Sequence, residues 1–292
     1  MASVQELLRC GADLPSDSAR RDTEILLCHC LGKSRAWLYT WPEKAVPPET
    51  EQRFEKLLAQ RRQGVPIAYL VGEREFWSLP LTVTNSTLIP RPETETLVAW
   101  VLELPLRETA RVLDLGTGSG AIARFAPVAA AASGSLPVSA GAVSPFCVAG
   151  SSACTSADAL QVAAANVAGL GLQNISLLQS DWYEGVAEEC FDALLANPPY
   201  IAANDPHLTR DDVRFEPRSA LVAAESGLAD LQQLVAGAPV QLREGGWLLL
   251  EHGFEQAAAV RSMLCDAGFG SVGTRCDMAG RERITGGRWH AD

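Results

Sequence analysis

The run Asn197-Pro198-Pro199-Tyr200 carries residue types that can hold a planar, nitrogen-containing group. The prolines have a fixed φ and no N–H, so the nearby carbonyls are stiff hydrogen-bond acceptors. Asn197 adds a side-chain carbonyl, so the turn can accept both hydrogens of an –NH2 group while the Tyr200 ring stacks on the planar group. We predict that all four residues bind the substrate and that Asn197, Pro198 and Tyr200 are catalytic. The alternative is a proline-stiffened strand exit without a ligand.

A glycine loop earlier in the chain has the composition of a ligand cradle. It follows an apolar strand and precedes a helix start, so its glycines let backbone N–H groups come close to a ligand. The third glycine comes too early for the dinucleotide motif G-x-G-x-x-G, and no G-K-[ST] follows for a phosphate loop. The loop suits a ligand with an amino-acid end and a ribose, which indicates S-adenosyl-L-methionine; a purely structural turn is the alternative. Its predicted cofactor-binding residues are Asp114, Gly116, Thr117, Gly118, Ser119 and Gly120.

Together the two motifs predict methyl transfer to nitrogen. An amide or aromatic amine nitrogen has a delocalised lone pair, and holding its hydrogens out of plane would localise that pair. The sequence shows no general base beside the turn, so catalysis would consist mostly of orientation. His252 ends a strand near the site, where a structural or substrate-shaping role competes with proton transfer. Asp181 follows another strand and either contacts the adenine edge of the donor or caps the next turn.

Composition limits the classes of function. The chain has 292 residues, is 47% hydrophobic and carries a formal net charge of −11. This acidic balance argues against a direct nucleic-acid partner, because phosphate binding needs clustered Lys and Arg. The eight cysteines are scattered and form no paired CxxC motifs, so we predict no metal site. Without a signal peptide or an apolar run long enough to cross a bilayer, a cytoplasmic chain with no membrane partner is expected.

The elements that must position these motifs fall into three regions. Residues 1–72 show helical patterns and no catalytic constellation, which predicts a small helical domain that positions a partner. Residues 73–92 predict a β-hairpin linker that bridges two domains. In residues 93–292 strand and helix signals alternate, which predicts an α/β fold with a mostly parallel sheet covered by helices.

Hydrophobic periodicity places the individual elements. One helix is expected over Ala19–Leu31 with Gly32 as its stop, and another begins after Thr50 and ends near Gly64. A turn is expected at residues 85–86. The remaining strand predictions are four strands and an antiparallel C-terminal hairpin, at Val112–Leu115, Ile175–Leu178, Phe191–Ala196, Trp247–Leu250 and Thr274–Trp289.

Several longer motifs resemble one known family over nearly the whole chain. The chain is similar to the release-factor glutamine methyltransferases (the PrmC/HemK type). Asn-Pro-Pro-Tyr is also found in adenine-amino DNA methyltransferases, whereas the Ile-Pro-Arg-Pro-Glu-Thr-Glu run behind a helical domain is far more specific. Besides the glycine loop and the Asn-Pro-Pro-Tyr turn, the resemblance rests on residues 20–22, 66–70, 75–81, 88–95, 179–182 and 213–217.

The resemblance implies a Rossmann-like class I methyltransferase sheet behind a small helical domain. It implies N5-methylation of the glutamine side-chain amide in the Gly-Gly-Gln motif of peptide chain release factors, which the helical domain would dock. We also expect a monomer. The resemblance also implies that residues 116–120 cradle the donor, that Trp182 packs near its adenine, and that Asn197 touches both donor and substrate.

Residues 124–156 depart from the family pattern. After Arg124 no charged residue occurs before Asp158, where the family has a strand that ends in an acidic residue for the donor ribose. The segment is a mistranslated stretch, a natural insertion with residues 145–148 as a makeshift strand, or the mark of a relative that has lost activity. An interior strand could be missing, and donor binding should be weak unless Ser151 or Ser152 replaces part of the lost hydrogen bonding. Two alternatives to glutamine methylation stay open: adenine-amino methylation of DNA or RNA, which shares the Asn-Pro-Pro-Tyr turn, and a non-catalytic remnant.

Overall fold

The computed structural model describes residues 1–107, 109–125, 146–150, 157–169 and 174–290. They form two compact units, one made of Met1–Glu73 with Thr209–Phe215 and the other of Arg74–Leu208 with Glu216–Asp292. Most of the unusual segment 124–156 lies outside the described residues, and Ser151 and Ser152 lie there too.

The helical unit is built from short helices around one apolar core. Leu26, Phe54 and Leu58 are its centre, each at most 2% exposed. The predicted helix Ala19–Leu31 is confirmed, and it ends at Gly32, whose φ of 61° is left-handed. The next long helix begins earlier than predicted because Pro48 occupies its first turn, where a missing N–H costs nothing. The helices are α1 Val4–Arg9, α2 Ala19–Leu31, α3 Arg35–Thr40, α4 Pro48–Arg62 and α5 Ile67–Val71.

A buried arginine joins the late segment Thr209–Phe215 to these helices. Arg61 donates from Nε to Asp22 and from Nη1 to Asp212, each at 2.8 Å. Arg214 adds a hydrogen bond from Nη2 to the carbonyl of Gln63 at 2.6 Å. The helical unit is therefore discontinuous in sequence.

The hairpin consists of β1 (Glu73–Phe76) and β2 (Leu79–Thr82). Its turn is formed by Trp77 and Ser78, whose φ values of 52° and 60° are left-handed. A second turn occurs where the sequence predicts one, with the N–H of Thr87 donating to the carbonyl of Thr84 at 3.0 Å. That turn lies after β2, however, and does not connect the two strands.

The larger unit is built on a seven-stranded sheet in the order β10-β11-β9-β6-β3-β4-β5. Its strands are parallel except β11, which pairs antiparallel with β9 and β10, as predicted for the C-terminal hairpin. The strands are β3 Val112–Leu115, β4 Phe146–Gly150, β5 Ile175–Gln179, β6 Phe191–Ala196, β9 Leu242–Glu251, β10 Gly270–Cys276 and β11 Glu282–Arg288. A separate parallel pair consists of β7 Ile201–Ala202 and β8 Val222–Ala223. The longer α-helices of this unit are α6 Thr94–Glu103, α7 Ala157–Gly169, α8 Ala229–Gln241 and α9 Ala257–Asp266.

Both faces of the central strands are covered. In β6, Leu194 and Ala196 belong to one apolar cluster, while Ala193 and Leu195 belong to a second. All four side chains are 0% exposed. This double burial explains the continuous apolar run that predicted β6, because a strand with one wet face would alternate.

Strand β4, which lies in the unusual segment, occupies the interior position of the sheet where a strand was expected to be missing. It pairs with β3 on one side and with β5 on the other, both in parallel. The prediction of a strand near residues 145–148 is confirmed, with Phe146–Gly150 as the bounds, and the expectation of a missing strand is wrong. The pairing is made by backbone hydrogen bonds, so an unusual sequence can still complete the sheet.

Candidate active site

Three loops meet at the carboxyl-terminal edge of the sheet. Leu115 pairs with Ala196, and Ala196 pairs with Leu250, across the parallel strands β3, β6 and β9. The next residues along these strands are Gly116, Asn197 and Glu251. The glycine loop and the Asn-Pro-Pro-Tyr turn are therefore neighbours at the edge where open α/β sheets bind their ligands.

The glycine loop has the backbone conformation that its composition predicts. Gly116, Gly118 and Gly120 have φ values of 82°, 53° and 82°, which side-chain-bearing residues rarely adopt. Asn166 from α7 holds the loop, because its Nδ2 donates to the carbonyl of Ser119 at 2.8 Å. The same amide pairs with both backbone groups of Thr82 in β2, at 2.8 and 2.9 Å.

Buried polar atoms without partners surround this loop. Three buried oxygens make no hydrogen bond of normal geometry among the described residues: the two carboxylate oxygens of Asp114 and the hydroxyl of Thr117. Burial raises the pKa of Asp114 to about 7, although the nearby Thr117 hydroxyl and Ala123 N–H act to lower it. Such orphaned groups are costly unless a ligand or water satisfies them. Asp181, which follows β5, has a buried Oδ1 in the same condition.

Trp182 lies in the apolar core beside these groups. It is 1% exposed and packs with the side chains of β3, β6 and α8. Its indole N–H lies close enough to Asp230 to lower the pKa of that carboxyl, which burial raises. The ring has no exposed face in this structure, so its contact with adenine stays a prediction.

The Asn-Pro-Pro-Tyr turn is anchored by both of its polar side chains. Asn197 Nδ2 donates to the Thr94 hydroxyl at 3.2 Å, and Tyr200 Oη donates to Glu251 Oε1 at 3.3 Å. Pro198 and Pro199 are buried, whereas Asn197 and Tyr200 are half-buried. Burial, with the Glu251 carboxylate as the next cause, raises the pKa of Tyr200, so its hydroxyl stays protonated and acts as a donor.

Glu251 is a site residue that the sequence did not reveal. Its side chain is 0% exposed, and burial raises its pKa to about 7 against the lowering effects of Thr94, Arg283 and Tyr200. The signal that could have found it is a carboxylate at the end of the apolar run of β9, directly before His252. A charge there ends a strand at the ligand-binding edge, which is a functional position.

Gln256 hydrogen-bonds to the last residue of the Asn-Pro-Pro-Tyr turn and to two neighbouring loops. Its Oε1 accepts the N–H of Gly253 at 2.8 Å, and its Nε2 donates to the carbonyls of Tyr200 and Gly227 at 3.1 and 3.3 Å. Gly227 ends a short left-handed run, with φ of 87°. One side chain thus ties three loops together around the last residue of the turn.

His252 has a structural position. Its Nε2 pairs with the Thr285 hydroxyl at 2.7 Å and its Nδ1 with the carbonyl of Gly253 at 2.9 Å. Because a carbonyl only accepts, Nδ1 carries the proton and Nε2 accepts from Thr285. Burial lowers the pKa of His252, which favours this neutral form. Both ring nitrogens are occupied, so the geometry favours the structural role over proton transfer.

The Ile-Pro-Arg-Pro-Glu-Thr-Glu segment is held in place by another buried carboxylate. Glu216 accepts the N–H of Ile89 at 3.1 Å and pairs with the Arg91 guanidinium. Its side chain is 0% exposed, while that of Arg91 is 30% exposed. Arg91 is therefore held at the surface of this unit by a partner that lies far from it in sequence.

No three His, Cys, Asp or Glu side chains gather within the described ranges in a way that could hold a metal ion. None of the helices described has the length and apolar character of a membrane-spanning segment.

Comparison with known proteins places the chain in one family. The model of the PrmC N-terminal domain matches residues 6–72, and that of the methyltransferase small domain matches residues 94–211. The release factor glutamine methyltransferase of Shewanella oneidensis is 48% identical over 94% of this chain and 91% of its own length. The release factor glutamine methyltransferase of Vibrio cholerae is 44% identical over 100% of this chain and 96% of its own length. A methyltransferase crystal structure from Pyrococcus furiosus shares the fold, with a TM-score of 0.53 and 15% identity over 83% of this chain and 99% of that one. The chain belongs to the family of release factor glutamine methyltransferases.

Proposed function

We propose that this chain methylates the side-chain amide nitrogen of the glutamine in the Gly-Gly-Gln motif of peptide chain release factors, with S-adenosyl-L-methionine as the donor. The observation that carries the proposal is the register Leu115–Ala196–Leu250, which brings the glycine loop and the Asn-Pro-Pro-Tyr turn side by side. The names of the relatives supply the class of substrate.

The residues around the glycine loop fit this donor. Three left-handed glycines let the backbone come close to a ligand, and the orphaned carboxylate of Asp114 is an acceptor that the ammonium group of an amino acid could satisfy. Asp114, Gly116, Thr117, Gly118, Ser119, Gly120, Asp181 and Trp182 would hold the donor, with Asn197 at the boundary with the substrate. When bound, the donor supplies a sulfonium-activated methyl group.

The Asn-Pro-Pro-Tyr turn would orient the acceptor nitrogen. The Asn197 side-chain oxygen and the proline-flanked carbonyls accept the two amide hydrogens, and the Tyr200 ring stacks on the amide plane. In the reaction a nitrogen–carbon bond forms, the carbon–sulfur bond breaks, and one amide proton leaves to solvent. Because Asn197 and Tyr200 are anchored before the substrate arrives, orientation is already fixed in the free chain.

Methyl transfer from radiolabelled donor tests the proposal. The purified chain is incubated with a release factor, with the same factor carrying alanine in place of the motif glutamine, and with double-stranded DNA. We expect label on the first protein alone. Label on DNA would favour adenine-amino methylation, and binding of the release factor without label would identify a non-catalytic remnant.

A further inference from the structure

The side chain of Asn166 joins two segments that are distant from each other in sequence. Its Oδ1 accepts the N–H of Thr82 at 2.8 Å, and its Nδ2 donates to the carbonyls of Thr82 at 2.9 Å and of Ser119 at 2.8 Å. Thr82 is the last residue of β2 in the hairpin, and Ser119 lies in the glycine loop. One side-chain amide of α7 therefore connects the hairpin to the predicted donor cradle.

The partners of Asn166 use both of its side-chain N–H donors. A side-chain amide has one carbonyl oxygen and two N–H groups. Both N–H groups of Asn166 point to carbonyls and its oxygen faces an N–H, so the opposite orientation would place an oxygen against two acceptors. The residue is only 9% exposed. Asn166 can therefore act on a bound donor through Ser119 rather than by contact.

The bond from Asn166 restrains one peptide plane of the glycine loop. The carbonyl of Ser119 and the N–H of Gly120 belong to the same planar unit. The carbonyl accepts from Asn166, and the N–H donates to the carbonyl of Thr117 at 2.8 Å. Gly118 and Gly120 flank this plane with φ values of 53° and 82°, and glycine can adopt many other conformations. Asn166 thus restrains the part of the loop that has the greatest conformational freedom of its own.

The same face of α7 packs against the loop beside this bond. A Cβ atom added at Gly120 would stand 3.5 Å from both Cα and Cβ of Ala163, which is 0% exposed. Ala163 and Asn166 are three positions apart, so they share one face of the helix. The packing of Ala163 sets how close the helix lies to the loop, and the amide of Asn166 sets the direction of the Ser119 carbonyl.

We propose that Asn166 is a positioning residue for the methyl donor, which fixes the Ser119–Gly120 peptide plane against β2 and so orders the glycine loop before the donor arrives. That this loop holds S-adenosyl-L-methionine rests on the proposed function, whereas the connection between loop and hairpin is a property of the free chain. Binding to a loop that is already ordered costs less conformational entropy. Donor binding and strand β2 are therefore coupled through one side chain.

Two substitutions of Asn166 separate this role from general support of the fold. Asn166→Asp keeps the shape and the acceptor for the Thr82 N–H but turns an oxygen toward the two carbonyls, and Asn166→Ala removes all three hydrogen bonds. We expect the dissociation constant for radiolabelled S-adenosylmethionine, measured by equilibrium dialysis, to rise roughly 10-fold in both variants. The KM for the release factor at saturating donor should stay nearly unchanged, because the Asn-Pro-Pro-Tyr turn keeps its own hydrogen bonds.

Gln161→Glu is the matched control, because it makes the same replacement of an amide by a carboxylate at an exposed position of α7. It should leave the donor dissociation constant unchanged. Thermal unfolding shows whether each variant is folded at the temperature of measurement. Folded Asn166→Asp and Asn166→Ala that bind the donor as tightly as the wild type would overturn the proposal. An equally large rise in the KM for the release factor would indicate general support of the fold and would overturn it too.

Hydrogen exchange of two backbone amides tests the connection without activity. The N–H groups of Thr82 and Gly120 lie at its two ends, so both should exchange faster in Asn166→Ala than in the wild type. Saturating donor should slow the exchange of Thr82 in the wild type and have no such effect in Asn166→Ala. Equal exchange in the two chains, or an equal effect of the donor, would overturn the proposal. A wild-type chain that binds no donor would instead contradict the proposed function, while exchange without donor would still show whether Asn166 connects the loop to the hairpin.

Discussion

The carbonyl oxygen of Tyr200 occupies the space beside Gly227, where an added Cβ atom would stand only 2.2 Å from it. Gly227 has a φ of 87°, and the two residues before it, Glu225 and Ser226, are also left-handed at 50° and 57°. The approach is possible because residue 227 has no side chain. The last residue of the Asn-Pro-Pro-Tyr turn therefore packs against a turn in which position 227 requires glycine.

Gly227→Ala should disturb this contact strongly. The added methyl meets backbone that must move, and the left-handed conformation adds strain, so we expect a loss of about 2 kcal/mol or more in the free energy of unfolding. Methyl transfer should fall with it, because Tyr200 shifts. Urea unfolding measures the first effect. Gly273→Ala, where nothing lies within 4 Å of the new Cβ, is the matched control. Equal stability of the two variants would contradict the expectation.

Gln256→Met keeps the length of the side chain and removes all three of its hydrogen bonds. The carbonyls of Tyr200 and Gly227 and the N–H of Gly253 then lose a protein partner. We expect a destabilisation of roughly 1 to 3 kcal/mol and a lower kcat, since the turn loses its fastening. Gln232→Met on the exposed surface of α8 is the control. A variant with unchanged kcat would show that Gln256 does not fasten the turn.

Asp114 should make stability depend on pH when no donor is bound. Its folded pKa of about 7 lies above the unfolded value near 4, so the folded chain keeps a proton that the unfolded chain releases. The stability from this proton is complete below the unfolded pKa and is lost as the pH rises through about 7. We expect this group to remove roughly 2 to 3 kcal/mol between about pH 5 and about pH 8.

Urea unfolding at the two pH values checks this sign. In Asp114→Asn the fall in stability with rising pH should shrink, while a part of the same sign remains from Glu251, whose pKa is also raised to about 7. Arg283 and Tyr200 act to lower the pKa of Glu251, and Glu93 acts to raise it. Asp17→Asn at an exposed position is the control. If the free energy of unfolding of Asp114→Asn falls with rising pH as steeply as that of the unaltered chain, the pH dependence does not come from Asp114.

Strand β4 ends at Gly150 without the carboxylate that the family pattern places for the donor ribose. Two hydrogen bonds to a charged acceptor contribute about 1.5 kcal/mol each, so their loss weakens binding on the order of a hundredfold. We expect Gly150→Asp to tighten S-adenosylmethionine binding measured by calorimetry, and the neutral Gly150→Asn to do so much less. A micromolar dissociation constant for the unaltered chain would contradict this expectation.

The sheet was predictable because its central strands are buried on both faces. The runs Val112–Leu115 and Phe191–Ala196 are short and apolar, and the structure confirms both bounds. The hairpin turn was not predictable, because Trp77 and Ser78 adopt left-handed conformations that their residue types disfavour. The turn preferences of the residue types at 85–86 correctly predicted a turn there, but they did not predict the turn at residues 77–78 that joins β1 to β2.

The residues that hydrogen-bond to the site motifs were harder to predict from the sequence than the motifs themselves. The Asn-Pro-Pro-Tyr turn and the glycine loop are contiguous in sequence, and their chemistry follows from residue type. Glu251, Thr94 and Gln256 act on the turn from positions that are far away along the chain. Hydrogen bonds between distant residues leave no periodic signal, so only the fold brings these partners together.

The discontinuity of the helical unit has a consequence for the order of synthesis. Arg61 is translated early, yet one of its two carboxylate partners, Asp212, follows 151 positions later. While the chain emerges from the ribosome, the five N-terminal helices can collapse on their own apolar core but cannot complete that ion pair. Because Asp212 follows residues 197–200 in the chain, this ion pair can form only after the Asn-Pro-Pro-Tyr turn has been translated.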